Sequence, residues 1–393
     1  NKDDNKENYI NLFPELDNVA MIRELHVYGN MNPVDIKNMK AKTQHRGFGK
    51  KLVAKAEEIA WINNFKKIPE VPITIIHGRS DLTCLPESSY LLSKLLVNSK
   101  LVLVSNAGHL AGEPGITNAL IQATETIRKA DAMLIGAGAG FGVDSGLPDF
   151  RGDEGFWETY PPIAKLGIGF EEMANPQWFE DDPSLAWGFY GHRHQLYRDT
   201  IPHSGFTMLR RWAESMKHGA FVYTSNVDGH FQRVDFDQNR ILECHGSLNH
   251  FQCLERCGQE IWRQDNLDLS VDELTLRAST PFPACPSCGS IARPNILMFG
   301  DWGWGSSRTE EQRGHFMDWV QNTGTSQTVI VEIGAGVTIP SVRNICEQLA
   351  DETKGDLIRI NPRDSQGPAN TISIPLGGLE ALRGIDELMT EGR

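Results

Sequence analysis

The segment GAGAGFGVDSGLPDFRG, residues 136–152, follows a short apolar run at 132–135. An apolar strand that ends in glycines is typical of a phosphate-binding turn in an α/β sheet. The dinucleotide pattern G-x-G-x-x-G is not met, because Val143 stands where the third glycine belongs when Gly138 and Gly140 fill the first two places. The segment therefore predicts a phosphate-bearing ligand, but not the turn of a dehydrogenase.

Length and composition indicate a globular protein of two or three domains, since the chain has 393 residues and 40% of them are hydrophobic. A formal net charge of −13 argues against a nucleic-acid partner. The apolar runs are far shorter than the ~20 residues that span a bilayer. No signal peptide is recognised in the sequence. We therefore expect a cytoplasmic protein without a membrane partner.

Further apolar runs of strand length are separated by mostly helical sequence. They read AFVYTSNV at 220–227, TVIVEIG at 328–334 and DLIRIN at 356–361. This alternation predicts an α/β domain over 128–393, with a Rossmann-like parallel sheet and helices on both faces. Ligands of such sheets bind at the carboxyl ends of the strands. The candidate binding loops are Gly138-Ala139-Gly140, Ser225-Asn226-Val227-Asp228 and Gly334-Ala335-Gly336.

Four of the seven cysteines form two close pairs, Cys253 with Cys257 and Cys285 with Cys288. An odd number of cysteines without a secretory signal argues against a disulfide framework. Two pairs on two turns match a tetrahedral zinc site with four thiolate ligands. We therefore predict a small zinc-ribbon domain over 247–292, whose zinc is structural because no coordination position stays open.

The motifs of the long C-terminal part occur in the order and spacing of the sirtuin family. They are the glycine turn with DFR at 149–151, TSNVDG at 224–229, HGS at 245–247, the paired cysteines, RPNILMFGD at 293–301 and GAG at 334–336. The resemblance covers roughly 128–393. It implies an NAD-dependent protein lysine deacylase that acts on acylated-lysine proteins or peptides. In that reaction the bond to nicotinamide is broken and no hydride moves.

The resemblance also implies roles for single residues. NAD would be contacted by Gly138, Ala139, Gly140, Asp149, Phe150, Arg151, Ser225, Asn226, Asp228, Gly334, Gly336 and Asn361. The glycine turn would lie close to the phosphates, and Asp228 would meet the carboxamide of nicotinamide. His245 would be the general base that takes a proton from a ribose hydroxyl, a role that suits the ordinary pKa of histidine. The acyl-lysine channel would be walled by Ile296, Phe299 and Gly300.

Tyr190 and Arg193 lie three residues apart in WGFYGHR, so they share one face if this segment is helical. The pair resembles the Y-x-x-R of sirtuins that remove succinyl and malonyl groups. It would bind the acyl carboxylate at the blind end of the channel. The alternative is an ordinary helix in which the tyrosine packs and the arginine reaches solvent.

Some positions differ from the common sirtuin pattern. Gly142 stands where a serine is usual, Ser225 replaces a glutamine, and GAG at 334–336 replaces GTS, so two hydroxyl groups are absent. An alternative reaction on the same fold is that of an NAD hydrolase or ADP-ribosyltransferase, as in some sirtuin-like proteins. An alternative of another class makes the N-terminal residues a docking or regulatory module.

Residues 1–68 resemble a fragment of the acetyltransferase-like domain of the Elongator catalytic subunit. The resemblance rests on MIRELHVYG followed by QHRGFGKKLVAKAEEIA. It implies that Gln44, Gly47 and Gly49 would hold acetyl-CoA. The later strands of that fold and its cysteine cluster are not seen, so we expect no complete acetyltransferase here.

Residues 69–127 resemble the C-terminal part of a proline iminopeptidase-like α/β-hydrolase. Strand-like runs at 73–76 and 101–104 are followed by Asp81 and His109, which match the acid and base of that family's triad. No nucleophile elbow G-x-S-x-G occurs in the sequence, and a base without a nucleophile gives no covalent hydrolysis. Both N-terminal pieces are therefore predicted to be partial α/β fragments.

Overall fold

The computed structural model describes residues 73–78, 99–104, 114–148 and 152–391. The chain separates into two compact units, Asn1–Gly112 and Glu113–Arg393. In the first unit, β1 (Ile73–Gly78) and β2 (Ser99–Val104) pair in parallel, at the places where the sequence predicts strands. The residues to which the N-terminal resemblances assign roles lie outside the described ranges: Gln44, Gly47, Gly49, Asp81 and His109.

The second unit holds the larger sheet and two small ones. Its strands are β3 (Ala132–Ala137), β4 (Ala220–Thr224), β5 (Ile241–Glu243), β6 (Gly246–Cys253), β7 (Trp262–Arg263), β8 (Val271–Asp272), β9 (Arg277–Ala278), β10 (Ala292–Ile296), β11 (Thr328–Ile333), β12 (Asp356–Ile360) and β13 (Ile372–Ile374). Six of them form one sheet in the order β13-β12-β11-β3-β4-β5, and every neighbouring pair is parallel. The predicted Rossmann-like parallel sheet is thus confirmed.

Helices connect these strands, as parallel pairing requires. They are α1 (Pro114–Lys129), α2 (Gly140–Val143), α3 (Gly152–Thr159), α4 (Pro161–Leu166), α5 (Phe170–Met173), α6 (Trp178–Asp181), α7 (Pro183–Asp199), α8 (Ser204–Glu214), α9 (His230–Arg233), α10 (Ser307–Thr323), α11 (Ser341–Thr353) and α12 (Gly378–Glu391). No helix among the described residues combines the length and the apolar character that a bilayer crossing needs.

The large sheet is covered on both faces because successive side chains of its strands point to opposite sides. Met133 and Ile135 of β3 pack in one apolar cluster with α1, α8 and α12. Leu134 packs in a second cluster, with α10 and α11. Gly136 belongs to this second face, where a β-carbon would overlap the sulfur of Cys346. Strand β3 therefore requires glycine at 136 for packing against α11.

The second unit begins earlier than the boundary at 128 that the sequence suggested. Helix α1 packs against α12 and β13, and it buries Ala123 and Ile127 in the same cluster as the sheet. Residues 114–127 therefore belong to the unit that contains the sheet, rather than to the hydrolase-like piece.

The small domain is built from antiparallel strands. Strands β10, β6 and β7 form one sheet in that order, and β8 pairs with β9. A third apolar cluster joins these strands to helices α3 to α7 and contains the fully buried Trp187. The cysteine-bearing insert thus shares a core with the helices that follow the glycine turn.

Candidate active site and metal centre

The loops after β3 and β11 are in direct backbone contact. The amide of Gly140 donates to the carbonyl of Gly334 at 3.0 Å. A β-carbon at Gly138 would lie 2.6 Å from the α-carbon of Ala335, closer than real atoms come. Gly334 has a φ of 63°, which favours glycine. The sequence suggested that glycine is needed at 138 so that ligand phosphates can approach. In the structure, the loop after β11 occupies the space that a side chain at 138 would need.

The loop after β4 is attached to the glycine turn through Asn226. Its Nδ2 atom donates to the carbonyl of Gly138 at 3.0 Å, and its own amide donates to Oγ1 of Thr224. Asp228 is 8% exposed, and one carboxylate oxygen accepts the amide of His230 at 2.8 Å. The candidate nicotinamide residues Asn226 and Asp228 are therefore held beside the candidate phosphate turn.

The loops after β11 and β12 are joined by a side-chain hydrogen bond. Asn361 is buried, and its Nδ2 atom donates to the carbonyl of Ala335 at 3.0 Å. Gly336 is exposed, and a β-carbon there would meet no atom within 4 Å. Three further predicted residues lie outside the described ranges, namely Asp149, Phe150 and Arg151.

His245 lies between β5 and β6, at the same edge of the sheet. Burial lowers the pKa of its imidazole, while a hydrogen bond to the backbone of Ser225 acts in the opposite direction. The Nε2 atom lies 3.4 Å from the hydroxyl oxygen of Ser341. A depressed pKa keeps the ring neutral at neutral pH, which is the form that accepts a proton.

The predicted channel wall begins beside this histidine. Ile296 pairs with Gly246 in the β10–β6 ladder, and the amide of Leu297 donates to the carbonyl of His245 at 3.0 Å. The amide of Phe299 donates to the carbonyl of Ala174, and Gly300 has a φ of 66°. Ile296 thus lies next to His245, and Phe299 and Gly300 lie on the segment that continues from it.

A buried ion pair holds this segment in shape. Arg293 and Asp301 lie 2.8 Å apart, with 2% and 0% of their side chains exposed. Asp301 also accepts the amide of Gly303 at 3.0 Å. Because breaking a buried pair leaves a charge uncompensated, both residues are needed to keep the wall in place.

Tyr190 and Arg193 are both buried on α7, so the interpretation in which the arginine reaches solvent is wrong. Arg193 is 7% exposed, and its Nη2 atom donates to the hydroxyl of Tyr197 at 2.9 Å. Among the described residues, the buried hydroxyl of Tyr190 has no hydrogen-bond partner. Burial raises its pKa to about 12, and the charges of Arg193 and Arg293 act against that rise. Tyr190 is therefore close enough to Arg193 and to the Arg293–Asp301 ion pair to be influenced by their charges.

The four paired cysteines converge as the sequence predicted. Their sulfur atoms all lie within 4.8 Å of one another, with Cys253 to Cys288 and Cys257 to Cys285 both at 3.6 Å. A tetrahedron with Zn–S bonds of about 2.3 Å has edges of roughly 3.8 Å. Four thiolates at this spacing fit a zinc ion. The cysteines are free thiols rather than disulfides.

Two residues near the site were missed from the sequence, Ser341 beside His245 and Arg343 beside Ala335. Both follow the GAG motif within ten residues and open helix α11. Their position shortly after the end of β11 could have indicated a place near the site. Serine and arginine, however, are not typical of binding loops in the way that glycine is.

Comparisons with known proteins agree with this geometry. The family model described as Sir2 family matches residues 138–331. An NAD-dependent protein deacylase of Aeropyrum pernix is 30% identical over 58% of this chain and 80% of its own length. An NAD-dependent protein deacetylase of Shouchella clausii is 27% identical over 64% of this chain and 90% of its own.

Solved structures share the fold. A Sir2 homolog–NAD complex covers 69% of this chain and 94% of its own, with a TM-score of 0.52 and 23% sequence identity. At this level of identity the similarity supports the fold and not the details of the site.

Proposed function

The chain belongs to the Sir2 family, and from that premise we propose that it removes acyl groups from protein lysine residues in an NAD-dependent reaction. The observation that carries the proposal is the placement of His245. It lies between the loop that holds Asn226 and Asp228 and the segment from Ile296 to Gly300. A base at this point can reach both a dinucleotide and an acyl-lysine.

The residues after β3, β4, β11 and β12 fit NAD. The described loops present glycine backbone at Gly336, the carboxamide of Asn226 and the carboxylate of Asp228 at the carboxyl edge of a parallel sheet. When bound there, NAD supplies a glycosidic bond whose cleavage releases nicotinamide. Asp228 would orient the carboxamide of nicotinamide. Asn226 would keep its hydrogen bond to the carbonyl of Gly138 in the glycine turn.

His245 would act as the general base. The Nε2 atom lies beside the hydroxyl of Ser341, so a neutral ring that carries its proton on Nδ1 leaves Nε2 as the acceptor. The Nε2 atom would accept and hold a proton from a ribose hydroxyl of bound NAD. Ser341 lies at this same nitrogen and would donate to it until the ribose arrives.

Zinc would be held by Cys253, Cys257, Cys285 and Cys288, and its role would be structural. The first pair lies at the end of β6 and in the turn after it, and the second pair lies in the turn before β10. Strand β10 leads directly into the channel wall. The metal would therefore fix the strands from which the wall extends.

We further propose that acyl groups with a terminal carboxylate are preferred. Tyr190 brings a buried hydroxyl without a partner among the described residues, and Arg193 brings a buried positive charge. A carboxylate can accept hydrogen bonds from both. A methyl group, as in acetyl-lysine, would leave the hydroxyl unsatisfied.

The test is a panel of one peptide carrying acetyl-, malonyl- or succinyl-lysine, incubated with the full chain and NAD. Mass spectrometry follows the deacylated peptide, and chromatography follows nicotinamide. Nicotinamide release that requires an acylated peptide and matches its deacylation supports the proposal. Equal release without peptide would instead favour the NAD hydrolase alternative. Transfer of ADP-ribose to the peptide would favour the transferase.

A further inference from the structure

Glu243 is the last residue of β5, two positions before His245, and helix α10 holds it from three directions. Its carboxylate forms a salt bridge with Arg308, whose side chain is 17% exposed while that of Glu243 is 1% exposed. Its amide donates to Oε1 of Gln312 at 3.1 Å, and its carbonyl accepts from the hydroxyl of Thr309 at 3.3 Å. The first two turns of one helix therefore bind the charge and both backbone polar groups of Glu243.

The position of β5 at the end of the sheet explains why its backbone groups bond to a helix. Strand β5 pairs with β4 on one side, and no strand among the described residues pairs with its other side. The amide of Cys244 donates to the carbonyl of Thr224 in β4 at 2.9 Å, so the backbone groups of Glu243 point to the open edge. A helix that covers such an edge satisfies these groups.

Glu243 needs a cation beside it because a second carboxylate is near. Burial raises the pKa of the Glu243 carboxyl, and the charge of Asp228 adds to that rise. The charge of Arg308 and a hydrogen bond from the side chain of Gln232 act in the opposite direction. Glu243 and Asp228 are both buried, so Arg308 is the group that balances the charge of Glu243 and joins it to α10.

The chain on the other side of His245 is fixed as well. Gly246 has a φ of 77°, and a β-carbon there would lie 2.0 Å from the carbonyl oxygen of Asn295. The carbonyl of His245 accepts the amide of Leu297 at 3.0 Å. His245 therefore lies between Glu243, which is bound to α10, and Gly246, which is packed against β10. A shift of Glu243 would displace the imidazole, since the next residues have no room to absorb it.

We infer that Arg308 is a positioning residue for the general base: through its salt bridge to Glu243 it fixes the end of β5 and so orients the imidazole of His245. The inference rests on the proposed function. Arg308 lies outside all the motifs from which the site was predicted. It acts through Glu243 rather than on a ligand, so its loss should change turnover and not binding.

The test compares the wild type with Arg308→Met, Arg308→Lys and the double variant Glu243→Gln/Arg308→Met. Deacylation of an acylated peptide gives kcat and the two KM values, and thermal unfolding gives the stability. We expect Arg308→Met to lower kcat about tenfold, because displacement of a catalytic group by ~1 Å can cost ~10²-fold. The KM for NAD and the KM for the peptide should stay within about twofold of the wild type. Arg308→Lys should retain more activity, because lysine keeps the charge but lacks the planar fork.

The double variant separates positioning from stability. It leaves no uncompensated buried charge, so it should unfold at a higher temperature than Arg308→Met. Its kcat should nevertheless stay low, because no salt bridge joins positions 243 and 308. Arg313→Met is the matched control, since Arg313 lies on the same helix in an exposed pair with Glu310. This control should have the kcat of the wild type.

Wild-type kcat in Arg308→Met would overturn the inference. So would a double variant that recovers kcat together with stability, because the pair would then only stabilise the fold. A rise in the KM for NAD as large as the fall in kcat would also overturn it, since Arg308 would then act on binding. If Arg308→Met does not fold, wild-type kcat in the double variant overturns the inference. A wild type that deacylates no peptide of the panel would overturn the proposed function as well.

Discussion

The hydroxyl oxygen of Ser341 lies 3.4 Å from Nε2 of His245, and the ring also hydrogen-bonds to the backbone of Ser225. Both contacts are compatible with a neutral imidazole whose Nε2 accepts. The histidine thus has contacts with the loop after β4 and with the first residue of α11.

Replacement of His245 by alanine should reduce deacylation by roughly 10²- to 10⁴-fold, the usual effect of removing a general base. Its carbonyl contact with Leu297 is made by the backbone and survives the change. Steady-state assays with an acylated peptide, together with calorimetric titration of NAD, check this. Near-native turnover in His245→Ala would remove this residue from the mechanism.

The pH dependence of kcat/KM should show its acid limb below the ordinary pKa of histidine, since burial lowers the pKa of His245. A base is active when deprotonated, so a lower pKa extends activity to lower pH. Ser341→Ala removes a donor that stabilises the neutral ring and should move the acid limb upward. An unchanged profile in Ser341→Ala would show that the 3.4 Å contact has no influence on the ring.

Zinc should be present at about one equivalent, and Cys285→Ala should lose it. Structural zinc contributes on the order of 10 kcal/mol in small modules, so the variant should lose the fold of the insert and its activity. Elemental analysis combined with circular dichroism provides the measurement. Cys244→Ala is the matched control, because that buried cysteine lies outside the metal cluster. Active wild-type protein without zinc would contradict the prediction.

Arg193→Met should lower activity on succinyl-lysine by about 10- to 100-fold, the range expected for one charge-assisted hydrogen bond. Methionine has a similar length and no charge, so activity on acetyl-lysine should remain. Competition between the two peptides, read by mass spectrometry, gives the ratio directly. The prediction fails if the wild type already prefers acetyl-lysine and the variant does not alter that preference.

Removal of residues 1–112 should leave a folded and active protein, because the sheet and its covering helices lie in Glu113–Arg393. A protein that starts at residue 130 should be destabilised by ~3 kcal/mol or more, since it lacks α1 with the buried Ala123 and Ile127. Thermal unfolding of both truncated proteins makes the comparison. Equal stability would mean that α1 does not belong to the core.

Four strands of the parallel sheet, β3, β4, β11 and β12, could be predicted from the sequence because each is an apolar run that ends in a recognisable loop. The edge strands β5 and β13 were not predicted, since each has only three residues. The metal cluster could be predicted because cysteine pairs at short spacing have few other uses. The assignment of α1 could not, since an amphipathic helix does not indicate which sheet it covers. The position of Arg343 could not be predicted either, because its hydrogen bond to the carbonyl of Ala335 is formed only in the folded chain.

Strand β3 lies in the interior of the sheet between β11 and β4, and all six of its residues are buried. Its amide protons should exchange with solvent only when the whole domain unfolds, and so should be among the slowest in the protein. The glycine turn starts at the end of this strand. One end of the glycine turn is therefore attached to the part of the chain that opens least often, and a ligand that binds at this turn would have little backbone entropy to remove there.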